Sequence, residues 1–447
     1  TVFATQITDL DGTPDNMSAD YMFSFTAFDV CSLTYTPIYD IQGSGLTTPL
    51  AGQVVSTQGV VVGDYEGPSP TQRGFYIQDD TGDGDPATSD GLFVFNGDNN
   101  SVSLGDVVRV TGTAGEFQDQ TQISLVTSIA TCGTGSVTPV DVTLPVASAT
   151  YLERYEGMLV RFPQTLYVSE HFQLGRFGQV VLSADGRLKQ PTNVVLPGAP
   201  ALALQEANNL NRIILDDDLQ SQNPDPILFG RGGQPLSASN TLRGGDTATG
   251  IVGVLTYTWS GNAASGNAYR LRPINALGGG IPDFQPSNPR PDAAPEVGGT
   301  LKVVGLNLLN FFNTFGPTAC TNGVGGTVTE CRGADDAFEF GRQWPKTVAA
   351  ILAMDPDVLG VNEIENDGYG STSSLQFLVD QLNAATAPGT YAFIDVDAAT
   401  GQVNAMGLDA IRVAINYKPG SVTPIGQTAA QNTLALINEV DSGPPNR

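Results

Sequence analysis

Between residues 28 and 135, short apolar runs alternate with Gly- and Asp-rich turns, at 52–62, 74–78, 91–95, 106–112 and 122–128. Runs of this length with period-two alternation and turn residues at both ends predict strands. Five such strands predict a small OB-like β-barrel. Upstream, residues 1–27 predict two β-segments, 2–7 and 21–26, on either side of the turn-rich stretch from Asp9 to Asn16. Two strands cannot make a core, and they read as the terminal strands of an Ig-like module. Residues 136–277 continue β-rich, with clear runs at 156–162 and 247–258, and predict a second barrel-like domain with long loops.

The pattern then changes. Residues 278–300 carry Gly278, Gly279 and Gly280 followed by Pro282, Pro286, Pro289, Pro291 and Pro295, without apolar periodicity, and predict a linker. From 301 the periods alternate between two and 3.6. A strand at 301–307 ends in Asn307, and a helix within 336–354 is marked by Phe340, Trp344, Val348, Ile351 and Leu352. Pro345 predicts either the start of that helix or a kink in it. A strand at 357–363 ends in Glu363, a helix follows at 372–385, and strands follow at 391–396 and 410–417. Helices alternating with strands predict a layered α/β domain over 301–447. Sites in such sheets assemble at the carboxyl ends of strands, which brings Asn307 and Glu363 side by side.

Composition narrows the chemistry. A chain of 447 residues implies several cores. It holds 46 acidic and 20 basic residues, a net charge of -26, which repels polyanions at long range. Binding of nucleic acid therefore has to be local, through a divalent cation on carboxylates. No apolar run approaches the roughly 20 residues that span a bilayer, so no transmembrane segment is expected. The four cysteines fall as two pairs, Cys31 with Cys132 and Cys320 with Cys331, and not in a CxxC metal spacing. That predicts two disulfides and an oxidising, extracellular or cell-surface setting. The chain opens at Thr1 without a charged-then-apolar segment, so an export signal is expected upstream.

Three stretches carry a resemblance to a known family: LKVVGLNLLNFFNTF, RGADDAFEFGRQWPKTVAAILAMDPDVLGVNEIENDG and GLDAIRVAINYKPGSVTPIG. They resemble the endonuclease/exonuclease/phosphatase (DNase-I-like) superfamily, and within it the extracellular ExeM/NucH-type nucleases. The resemblance covers 301–447 strongly and extends to the β-rich region of 31–277. It implies a secreted, metal-dependent nuclease that hydrolyses phosphodiesters of extracellular DNA or RNA, with water as nucleophile. By motif position, Glu363 ligates a divalent cation, Mg²⁺ or alternatively Ca²⁺, and Asn307 supports the phosphate-side network. The superfamily's later Asp-x-Asn pair and Ser-Asp-His ending do not occur between Glu363 and Arg447. The expectation is therefore a chain holding the first half of the catalytic domain, inactive alone, that associates with its own C-terminal part or with a second copy.

Other residues carry bland readings beside sharp ones. Arg342 and Lys346, one helical turn apart, could meet phosphate or form a solvated face. Glu365, with Asp367 close behind it, is placed by strand alternation beyond the sheet edge and reads as a loop cap, and Asp409 reads as a group that could orient the site. The only histidine, His171, reads as a loop residue. The stretch from Asp79 to Asp85 reads as an Asx/Gly turn more than a calcium loop. A non-enzymatic cell-surface or filament-forming protein, and a phosphatase acting on small phosphate esters, remain the rival readings.

Overall fold

A computed structural model of the chain describes residues 3–8, 13, 15–24 and 29–426. It divides into two compact units, Thr1–Pro289 and Arg290–Arg447.

Unit 1 contains the short helix α1 (Ile38–Gln42) and five strands: β1 (Val54–Tyr65), β2 (Gly74–Gln78), β3 (Gly91–Phe95), β4 (Asp106–Phe117) and β5 (Gln120–Thr134). These close into a barrel in the order β1-β2-β3-β5-β4. Closure removes free strand edges, and the period-two inward residues Val108, Val110 and Ala114 of β4 fill the interior with Phe75, Ile77 and Leu92. α1 adds Ile38 and Ile41 to that core. β4 and β5 are joined by Gln118 and Asp119, both at positive φ (57° and 63°), the turn geometry that matches the twist of flanking strands. A disulfide between Cys31 and Cys132 ties the segment before β1 to β5.

The second sheet of unit 1 comprises β6 (Val140–Asp141), β7 (Leu159–Glu170), β8 (Val180–Ser183), β9 (Ile213–Leu215), β10 (Thr247–Thr258) and β11 (Ala268–Pro273). Its order is β10-β11-β9-β8-β7-β6, and β10 also pairs with β7. Phe162, Leu166, Val168, Leu182, Leu255 and Leu271 lie in its core. Two helices interrupt this β-rich stretch, α2 (Leu174–Phe177) and α3 (Ala199–Leu210). Gly198 and a proline in the first turn start α3, a start signal that outweighs the β-rich surroundings.

Barrel and second sheet pack together through Val62, Tyr65, Tyr76 and Phe93 against Val254 of β10. The backbones meet where a Cβ on Gly91 would sit 2.2 Å from the Gly157 carbonyl carbon, an approach that only glycine permits. Nearby, Ser89 Oγ donates to Glu156 O (2.6 Å) and Leu159 N to Gln78 Oε1 (2.8 Å).

At the amino terminus the expected strand over 2–7 is replaced by a 3-10 turn at Ala4–Gln6, and Thr8 bridges Asn16. Val2, Phe25 and Thr26 of the two expected segments lie outside the described residues.

Unit 2 comprises β12 (Val303–Phe311), β13 (Cys320–Thr321), β14 (Val328–Thr329), α4 (Ala337–Met354), β15 (Val358–Glu365), α5 (Ser374–Ala385), β16 (Ala392–Phe393), α6 (Val396–Thr400) and β17 (Ile411–Tyr417). The main sheet has the order β12-β15-β17-β16, and β13 and β14 form a separate ribbon. β12 and β15 run parallel. α4 starts where Asp336 Oδ1 accepts from Glu339 N (2.9 Å) and spans Pro345 without interruption. Phe340, Val348, Ile351, Leu375, Leu378 and Leu382 of the two long helices pack with Leu359, Val361 and Ala414 of the sheet. Val303, Val413 and Ile415, at alternate positions, are exposed. The strand expected at 391–396 shortens to two residues because Asp395 caps α6, accepting from Ala398 N (2.8 Å). No helix among the described residues is long and apolar enough to cross a membrane.

Candidate functional site

Because β12 and β15 are parallel, their carboxyl ends share one end of the sheet. Their register pairs Asn307 with Asn362, and Glu363 is the next residue along β15. Beyond this pair both strands lose their register, β12 between Asn307 and Phe311, and β15 against β17 between Val361 and Ile364. Within these irregular stretches Leu309 (φ 54°), Asn310 (φ 54°) and Glu363 (φ 59°) adopt the left-handed backbone. That conformation is costly for residues with a Cβ, and bulges of this kind re-aim side chains at strand ends. Asn307 helps hold the distortion, since its Oδ1 accepts from Leu309 N at 2.7 Å. Gln343 of α4 adds a bond from Nε2 to Leu309 O at 3.2 Å.

Two glutamates two residues apart have opposite surroundings. Glu365 is buried and accepts from Asn313 N (3.0 Å), Thr314 N (3.2 Å) and Ser374 Oγ (2.8 Å). It therefore ties β15 to the loop after β12 and to the start of α5. Glu363 is half-buried, and no hydrogen bond or ion pair engages its carboxylate among the described residues. A carboxylate without a protein partner at a strand tip is free to take a ligand.

The surrounding groups are structural. Asp367 accepts from Ser374 N (2.7 Å), while its other oxygen is buried without a partner. Burial, followed by the Glu365 charge, pushes the Asp367 carboxyl up to about 7. Arg412 is buried, donates to Gly368 O and lies 4.0 Å over the Tyr369 ring. Asp409 pairs with Arg332 at 2.8 Å, the residue that follows the loop stapled by the Cys320–Cys331 disulfide. Arg342 and Lys346 are both exposed on α4, with the Arg342 guanidinium 6.0 Å from the Phe338 ring.

Among the described residues no three His, Cys, Asp or Glu side chains converge as a metal cage. Glu363 with neighbouring amides fits a Mg²⁺ ion held by one carboxylate, waters and phosphate oxygens.

In unit 1, His171 is exposed, and the acidic stretch folds as Asx turns, Asp79 accepting from Thr81 N and Gly82 N. Sequence reasoning missed the buried charges there. Asp216, Arg270 and Arg272 are fully buried, with Asp216 Oδ2 3.1 Å from Arg270 Nη1 and 3.2 Å from Arg272 Nη2. The signal was present as an Arg-x-Arg pair on one strand face and the run Asp216-Asp217-Asp218.

No family model matches the sequence, and no curated protein matches it.

Proposed function

We propose that the protein carrying this chain is a secreted, metal-dependent nuclease, with Glu363 as the metal ligand and Asn307 on the phosphate side. The barrel is then OB-like, and unit 2 is the opening half of a DNase-I-like layered domain. The reading is carried by one observation: an unpartnered glutamate beside paired asparagines at the bulged carboxyl ends of two parallel strands.

Glu363 would hold Mg²⁺, which when bound supplies Lewis-acid polarisation of a phosphodiester and activation of water. Asn307 keeps its amide N–H₂ as a donor to phosphate, because its Oδ1 is committed to Leu309 N. The distortion at Leu309, Asn310 and Glu363 fixes these groups before substrate arrives, the preorganisation on which such sites depend. Arg342 and Lys346 add local positive charge along α4 in a chain that is otherwise strongly acidic. Two disulfides suit an extracellular setting.

The test is hydrolysis of DNA, RNA and a small phosphodiester by the full-length protein with and without Mg²⁺. Chelator-sensitive cleavage of DNA or RNA supports the reading. Cleavage of the small ester alone would make the protein a phosphatase, and no metal-dependent cleavage of any of them would leave it a structural protein.

A further inference from the structure

Unit 1 holds a cleft of about 360 Å³ that the nuclease reading does not use. The β1–β2 loop, β3, the β4–β5 hairpin and the end of β10 line it. Its volume lies in the range of small-molecule sites.

Its walls are aromatic and amide, with little charge. Phe93, Phe95, Phe117 and Trp259 supply ring surface, while Gln72, Gln118, Gln120, Gln122 and Gln220 supply the polar atoms. Arg73, the one charged side chain in the lining, is already paired with Asp98 at 2.6 Å.

Two of the amides have unmet bonds. Gln72 is more than nine-tenths buried, and its Nε2 has no partner. The Tyr76 hydroxyl, with one proton to give, lies 3.0 Å from Gln120 Oε1 and 3.4 Å from Gln72 Oε1. Gln220 Oε1, in the same lining, is likewise buried and unpartnered. A buried unpaired polar atom is costly, and both belong to residues that line one cleft, so a ligand group that accepts and donates at once suits these amide walls. A hydroxyl does both.

We propose that this cleft binds a neutral saccharide, its hydroxyls meeting the glutamine amides of the lining and its ring faces lying against the aromatic walls. A nucleic acid strand suits it less, because strand-binding grooves combine stacking rings with unpaired cations, and Arg73 is spoken for. The proposal rests on unit 1 alone and stands or falls separately from the nuclease reading.

The experiment titrates the intact chain with neutral hexasaccharides of glucose, galactose and N-acetylglucosamine, and with a ten-residue oligothymidylate. Trp259 fluorescence and calorimetry are the readouts, with Trp344 replaced by Phe so that one indole reports. At least one hexasaccharide is expected to bind, with affinity falling at least tenfold in Gln72→Ala and in Phe117→Ala. Phe117 is an exposed rim residue, so its variant folds even where a change at Gln72 disturbs packing. Binding of the oligothymidylate alone, no binding by any saccharide, or saccharide binding untouched by Phe117→Ala and Gln72→Ala would each overturn the proposal.

Discussion

Both units bury carboxylates, but among the described residues only unit 2 leaves one half-buried and unpartnered near the carboxyl ends of a parallel strand pair. In unit 1, Asp216 meets two guanidiniums and accepts from Ser260 Oγ at 3.1 Å, so its charge is spent on joining β9, β10 and β11. In unit 2, Glu365 is spent in the same way on three donors, while Glu363 meets none. Burial alone therefore does not mark a functional acid. The useful distinction is whether the protein itself has already satisfied the group.

Asp216→Ala should have the largest effect on stability. It would leave Arg270 and Arg272 buried without their counter-ion, a loss of about 3–5 kcal/mol that denaturant unfolding of the intact chain would register. A loss below about 1 kcal/mol would mean that the two arginines find other partners.

Next comes the contrast within unit 2. Glu365→Ala strands two backbone N–H groups and the Ser374 hydroxyl and should cost about 2 kcal/mol or more. Glu363→Gln should lie within about 0.5 kcal/mol of the parent, as surface changes do. Equal destabilisation by the two would erase the distinction between them.

A further effect is a tilt with pH. Burial and then the Asp216 charge push the Asp217 carboxyl up to about 8 from an ordinary 3.8. The folded state therefore holds this proton more tightly than the unfolded chain. The associated stability is complete below about pH 4 and is lost as pH rises through about 8. Asp217→Asn should flatten the decline in melting temperature between pH 5 and 8. An unchanged slope would place the origin of the decline elsewhere.

The legible parts of the chain were those with local signals. β2 and β3 lie where apolar runs sit between turn glycines, and the apolar spacing of α4 and α5 gave both helices. Three features were not local. The shortened strand at Ala392–Phe393 depends on a competing cap at Asp395, and the 3-10 turn at Ala4–Gln6 overrides a β-like composition. Glu365 was expected beyond the sheet edge, yet it is the last residue of β15, buried under a loop that begins fifty residues earlier in the chain. The amide cleft is harder still, since its glutamines are scattered from Gln72 to Gln220 and no window of sequence contains them together. Asn307 and Glu363 were expected to end their strands, but β12 runs on to Phe311 and β15 to Glu365, and the left-handed backbone at Glu363 was not legible.

The most direct test of the central claim is the Mg²⁺-dependent rate of nucleic acid hydrolysis by the full-length protein carrying Glu363→Gln. Loss on the order of 100-fold, the scale for removing one preorganised charge-stabilising group, with an unchanged melting temperature is the predicted result. A rate within twofold of the parent would contradict the account.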